Sequence, residues 1–265
     1  MTYFAFLFYF VLIPILILLA IAISDHRAGK MISGFNNKLV PFGIAVHVFL
    51  AVTYTTPWDN YLVATGVWSY NPNLVTGIVI GYVPIEEYTF FIVETILAGL
   101  WWWFLARRIA LTPSPSPNGR GEFPLNKALI IFSSSLLLVV FWLFFTYQFF
   151  FGADEWNYLG IIFFWALPAI LPQLIFGADI LWHHRKLVFW SIFVPGLYLA
   201  LMDIVALSET TWQISRTQTL GIDFFGILPL EEVTFFFITN VLISFGMTLM
   251  LSDLGRARFE VWKSK

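Results

Sequence analysis

The sequence contains no cysteine, which excludes disulfides, thiolate metal sites and cysteine nucleophiles. Charge is scarce as well. Asp, Glu, Lys and Arg make up 11% of the 265 residues, against about 25% in a soluble domain. That shortage excludes disorder, nucleic-acid binding through a basic surface, and an ordinary soluble enzyme. The net charge of −2 points to no partner. Several templates are missing too. Without G-x-G-x-x-G there is no Rossmann-type flavin or nicotinamide site. Without H-E-x-x-H or histidine boxes, a membrane metallohydrolase or di-iron desaturase is excluded. The Asp-rich magnesium-diphosphate motifs of prenyl transferases are absent. No helix carries a mid-membrane Lys, which excludes a retinal Schiff base. Neither a metal nor a cofactor is expected.

What is present is apolar: 59% of residues are hydrophobic and 20% aromatic, with 30 Phe, 12 Trp and 10 Tyr. The composition is that of an all-α integral membrane protein. A spanning helix needs about 20 mostly apolar residues, and seven stretches qualify: 3–23, 38–56, 82–105, 127–150, 157–181, 187–206 and 226–251. The first has no Lys or Arg ahead of it and is too long for a secretion signal, so it is read as a retained helix. Lys and Arg fall almost entirely on one side of an alternating seven-helix arrangement. Arg27, Lys30 and Lys38 lie between helices 1 and 2, and Arg107, Arg108, Arg120 and Lys127 between 3 and 4. Arg185 and Lys186 lie between 5 and 6, and Arg256, Arg258, Lys263 and Lys265 lie in the tail. Only Arg216 falls on the other side. The bias predicts an outer N-terminus and an inner C-terminus. His183 and His184, beside Arg185 and Lys186, read as a solvated helix end.

The two halves of the chain are alike. Pro84-Ile-Glu86-Glu87-Tyr-Thr89-Phe90-Phe91 returns 145 residues later as Pro229-Leu-Glu231-Glu232-Val-Thr234-Phe235-Phe236. Asp59, Trp68 and Gly77 return 144 residues later as Asp203, Trp212 and Gly221; Pro14 and Asp25 return 154 later as Pro168 and Asp179. Helices 1–3 therefore match helices 5–7, with helix 4 joining them. A four-helix period makes this a parallel repeat. The expected division is a first repeat at 1–106, a Pro/Ser/Gly-rich linker at 107–126, a connecting helix at 127–150, a second repeat at 151–252 and a basic tail at 253–265.

Each copy sets Pro-x-Glu-Glu at the outer start of its last helix. A lone copy reads as a helix start, since Pro suits the first turn and carboxylates suit the helix dipole. Two matched copies, each followed by Thr-Phe-Phe and preceded by Asp and Trp, point to function. Asp59 and Asp203 are expected to end helices 2 and 6 at the same depth. Six carboxylates then border one region without a cation, and like charges packed together cannot all ionise. That is a proton-handling site or a cation site. Glu94 lies two turns below Glu87, about 10 Å deeper, and its repeat partner is Thr239. It must pair, face a polar cavity or stay protonated; an interhelical hydrogen bond to Thr, Asn or His, His47 among them, is the structural alternative. Phe90, Phe91, Phe235 and Phe236 sit one turn below the Glu pairs, and aromatic faces attract positive charge. Acids beside aromatic faces suit a reaction that makes a carbocation from an apolar substrate and later removes a proton. A proton-coupled transporter is the rival class.

These paired Pro-x-Glu-Glu-x-x-Phe-Phe segments, on a duplicated small membrane protein, resemble the lycopene cyclase domain family. Its members are heterodimeric in some bacteria and fused in other organisms. The resemblance covers roughly 1–106 and 127–252, as in a fused form. It implies cyclisation of the linear ends of lycopene to β-ionone rings, a net isomerisation in carotenoid biosynthesis. It also implies a prokaryotic cell membrane, lycopene and membrane lipid as partners, and other carotenoid enzymes as neighbours. Carried over by motif, Glu86, Glu87, Glu231 and Glu232 are the catalytic candidates, with Glu87 and Glu232 preferred as acid and base; Glu94 is added on its depth alone. Asp59, Asp203, Phe90, Phe91, Phe235, Phe236, Trp68 and Trp212 are the expected substrate-binding residues. Formation of ε-rings, or action on longer carotenoids, remains open.

Overall fold

The computed structural model describes residues 1–109 and 127–264. Among these, seven helices are long and apolar enough to cross a membrane. They are α1 (Tyr3–Arg27), α2 (Val40–Ala64), α3 (Ile85–Ile109), α4 (Lys127–Phe151), α5 (Asn157–His183), α6 (Arg185–Ser208) and α7 (Leu230–Leu251). A short α8 (Asp253–Lys263) follows. Of the linker expected at 107–126, residues 107–109 continue α3 and the rest lie outside the described residues.

Two helix ends differ from expectation. α2 runs to Ala64 and α6 to Ser208, so Asp59 and Asp203 each lie inside a helix rather than at its end. The run Thr-Thr-Pro-Trp-Asp lowers the hydropathy around Asp59. The helix continues because Thr55, Trp58 and Asp59 turn inward and are buried. The prolines differ as well. Pro84 ends a strand and Pro229 is an extended N-cap, each just before its helix rather than within the first turn.

α3 and α7 are the most enclosed helices and pack on one another at the centre, each flanked by α2 and α6. α4 is the least enclosed and lies along α5. One end of the bundle carries the short strands. β1 (Trp68–Tyr70) pairs antiparallel with β4 (Trp212–Ile214), with Trp68 opposite Ile214, Ser69 opposite Gln213 and Tyr70 opposite Trp212. Two hairpins, β2 (Val79–Ile80) with β3 (Val83–Pro84) and β5 (Asp223–Phe224) with β6 (Leu228–Pro229), lead directly into α3 and α7. The hairpin turn before α3 uses Gly81 at φ 69°, a left-handed conformation that favours glycine.

α1 is not a uniform α-helix: Phe8–Leu12 forms a π-turn, the wide turn that one inserted residue produces. At the basic end, Asp25 accepts hydrogen bonds from Lys30 (3.0 Å) and Arg108 (3.1 Å), and Arg107 Nε lies 3.6 Å away. Asp179 takes both arms of Arg258, at 2.7 and 2.6 Å, tying α8 to α5. Arg107 and Asp25 are both buried, so removing the acid strands a guanidinium. Asp25→Ala is expected to destabilise the fold by about 1–3 kcal/mol, read as a lower thermal midpoint in detergent. An unchanged midpoint would mean that the cluster is dispensable. His184 departs from the solvated end expected of it. Its ring packs tilted against Phe35, with centroids 4.8 Å apart, and burial holds its imidazole at a pKa of about 4.

Candidate active site

The members of each Glu pair face different ways, because neighbours on a helix point about 100° apart. Glu86 Oε1 accepts the backbone N–H of Thr76 at 2.6 Å, and Glu231 Oε1 accepts that of Leu220 at 2.8 Å. These two carboxyls hold the incoming loops against the helix starts. Glu87 and Glu232 instead turn towards each other across a crevice.

Glu87 Oε2 accepts two phenolic hydrogen bonds, from Tyr3 at 2.5 Å and from Tyr70 at 3.0 Å. Glu232 Oε1 accepts one, from Tyr158 at 2.6 Å. Asp203 also borders the crevice, with its Oδ1 accepting the indole N–H of Trp212 at 2.8 Å. Asp59 lies within electrostatic reach of Glu87. It is fully buried, and neither of its oxygens has a protein hydrogen-bond partner. Among the described residues no Lys, Arg or His pairs with these acids. Tyr70, on β1, has its phenol pushed well above the ordinary value, first by burial and then by the Glu87 charge. It is therefore a donor at any working pH.

Trp68, Trp212, Phe90, Phe235 and Phe236 complete the crevice wall, whereas Phe91 does not reach it. The crevice is narrow, about 30 Å³, the space of roughly one water. On the other side of Phe235 lies a much larger cavity of about 500 Å³, lined by Phe91, Trp165, Tyr54, His47 and Glu94 among others. Glu94 is two helical turns from Glu87 and bonds not to His47 but to Thr239, its counterpart in the other half. The Thr239 hydroxyl lies 3.0 Å from Glu94 Oε1 and 3.1 Å from the Phe236 carbonyl oxygen. A hydroxyl has one proton and cannot donate to both. A proton on Glu94 lets it donate to Thr239, which then donates to Phe236.

Tyr3, Tyr70 and Tyr158 are absent from the sequence-derived candidates. Tyr3 and Tyr158 stand 155 residues apart, one residue off the 154 spacing of Pro14/Pro168. In a chain with 10 Tyr and 30 Phe, that match is easily passed over.

No family model matches the chain, and no solved structure matches it. Curated relatives do. The lycopene beta-cyclase of Halobacterium salinarum strain R1 is 37% identical over 216 residues, covering 82% of this chain and 85% of the relative. The chain belongs to the lycopene beta-cyclase family. The same family sequence recurs in the bifunctional lycopene cyclase/phytoene synthases of fungi. The Aspergillus oryzae protein is 31% identical over 222 residues, covering 83% of this chain and 36% of its own length. That of Podospora anserina is 34% identical over 198 residues, covering 74% and 32%. This family member thus spans about a third of those fungal proteins.

Proposed function

We propose that the protein cyclises the linear ψ-ends of lycopene to β-ionone rings, a non-redox isomerisation in carotenoid biosynthesis. The relatives' activity supports the reading, and one observation carries it at the site: two buried carboxyls, Glu87 and Glu232, each held by a buried tyrosine, face each other between Phe90, Phe235 and Phe236.

The chemistry starts with a carboxylic acid donating its proton to the terminal double bond of the ψ-end. A tertiary cation results. The next double bond along the chain, two methylenes away, attacks it, forming the ring C–C bond and moving the cation into the six-membered ring. A carboxylate then removes a ring proton and restores a double bond, so atoms balance and no electrons leave. Glu232, with one phenolic donor, is the proposed acid; Glu87, with two, is the proposed base. The aromatic wall attracts the cation and excludes water, which would trap it as an alcohol. Phe235 borders both the crevice and the larger cavity, so rotation of its ring joins them and admits the end group. Glu94 is proposed as the neutral, proton-bearing carboxyl beneath the reacting end. Asp59 and Asp203 are proposed to share the protons that move through the crevice.

The two halves are proposed to be related by a two-fold axis along the bundle, with repeats at 1–106 and 151–252. The β1–β4 register supports it: exchanging residues 144 apart maps the Trp68–Ile214 pair onto Tyr70–Trp212 and leaves Ser69–Gln213 in place. Matched hydrogen bonds agree, Tyr54 to the Trp165 carbonyl and Tyr198 to the Phe10 carbonyl, both at 2.8 Å. The basic end is proposed to face the cytoplasm of a prokaryotic cell. Other carotenoid enzymes in the same membrane are the expected neighbours.

Expression in cells that accumulate lycopene, followed by pigment analysis, tests the reading. Cyclic carotenoid with β-rings is the expected product; unchanged lycopene overturns the reading, and ε-rings would move the site of final deprotonation. Glu94→Gln keeps a donor for Thr239 and is expected to stay within about tenfold of wild type, below the 10²-fold minimum typical of a lost general acid. A larger loss would move the initiating proton to Glu94.

A further inference from the structure

The cavity beneath the crevice does not stand alone. Gln173, Gly246 and Met250 border both it and a further groove of about 660 Å³ towards the basic end, between α5, α7 and α8. Crevice, cavity and groove therefore follow one another along α7. From Phe235 to Met250 the helix rises about 22 Å, and the walls are mostly apolar with few polar groups. That length and chemistry suit a rigid linear polyene.

The path depends on a residue without a side chain. A Cβ on Gly246 would fall 2.0 Å from His47 Nε2, so α7 passes α2 closely and adds no side chain of its own beside the imidazole that borders the cavity. The residue at the matching place in the other half, 145 earlier, is Trp101. Its indole crosses from α3 to α6 and donates to the Trp190 carbonyl at 3.1 Å. An indole thus stands in one half where the other half has a glycine packed against an imidazole.

We propose that the cavity and groove along α7, running past Gly246 and Met250, are the binding channel for the unreacted length of the carotenoid, and that the protein has one such channel because Trp101 fills its counterpart. This deepens the cyclase reading and rests on it. One channel serves one end of the substrate at a time. A product with two rings then requires the one-ringed intermediate to leave and return in the opposite direction.

The test compares matched insertions. The full chain is purified from lycopene-accumulating cells as wild type, Met250→Trp and Leu105→Trp, where Leu105 stands 145 residues before Met250. Carotenoid retained per protein is read by absorbance, independently of turnover. Met250→Trp is expected to retain about tenfold less, the order of loss that overpacking a site produces, whereas Leu105→Trp retains the wild-type amount. Gly246→Trp, which copies the other half, should match Met250→Trp. Equal losses in Met250→Trp and Leu105→Trp, or undiminished pigment in Met250→Trp, overturn the single channel. Failure of the cyclase reading is distinct: wild type would bind carotenoid and return it uncyclised. A pulse of lycopene should also show one-ringed carotenoid rising before the two-ringed product.

Discussion

Conversion of lycopene by Glu232→Gln is expected to fall about 10²–10⁴-fold, the usual contribution of a general acid. The amide oxygen still accepts the Tyr158 hydroxyl, now 2.6 Å from the carboxyl, so the local packing survives while the transferable proton is gone. Glu87→Gln should behave differently. Its loss leaves the acid in place, so a cation still forms, but the acceptor held by Tyr3 and Tyr70 no longer removes the ring proton. Lycopene is then consumed faster than by Glu232→Gln, and the products spread into hydrated and isomeric rings. Pigment profiles of the two variants, normalised to purified protein, separate the roles. Clean β-rings from Glu87→Gln together with mixed products from Glu232→Gln would exchange the acid and the base.

The second large effect runs in two directions at once. Asp59→Leu is expected to raise stability by about 1–4 kcal/mol, the range seen when buried charges give way to packed apolar groups, while cyclisation falls. Asp59 is fully buried, has no protein hydrogen-bond partner and lies near Glu87. Its counterpart Asp203 differs in that Trp212 donates to it, whereas the matching Trp68 makes no such bond to Asp59. An unpaired acid beside a like charge is a cost that folding alone would remove, so its retention points to use. A higher thermal midpoint with full activity would reduce Asp59 to an accident of packing. A lower midpoint would mean that a donor is lost with it.

The seven helices were legible because apolar runs of spanning length leave few alternatives, and the cyclase family was legible in the doubled Pro-x-Glu-Glu. The edges were not. Around Thr55–Asp59 the hydropathy drops because polar residues face a protein interior, a distinction that hydropathy does not carry. Glu87 and Glu232 were preferred over their neighbours, but the loop-holding hydrogen bonds of Glu86 and Glu231 were not foreseen, although helix geometry already separates the directions of adjacent residues. The tyrosines that hold Glu87 and Glu232 were missed, since Tyr3 and Tyr158 align only if one residue is added between Tyr3 and Pro14.

That added residue is taken up by the π-turn at Phe8–Leu12. In a plain α-helix an insertion turns everything beyond it by about 100° and shifts it about 1.5 Å. Tyr3 would then swing off Glu87, or Asp25 off Arg107. The wide turn absorbs the offset, so α1 keeps two phases: one aims a phenol at the chemistry, and the other seats an acid at the anchoring end. The helix works as a coupling with slack in the middle, and the spacing between site and anchor became free to change without loosening either.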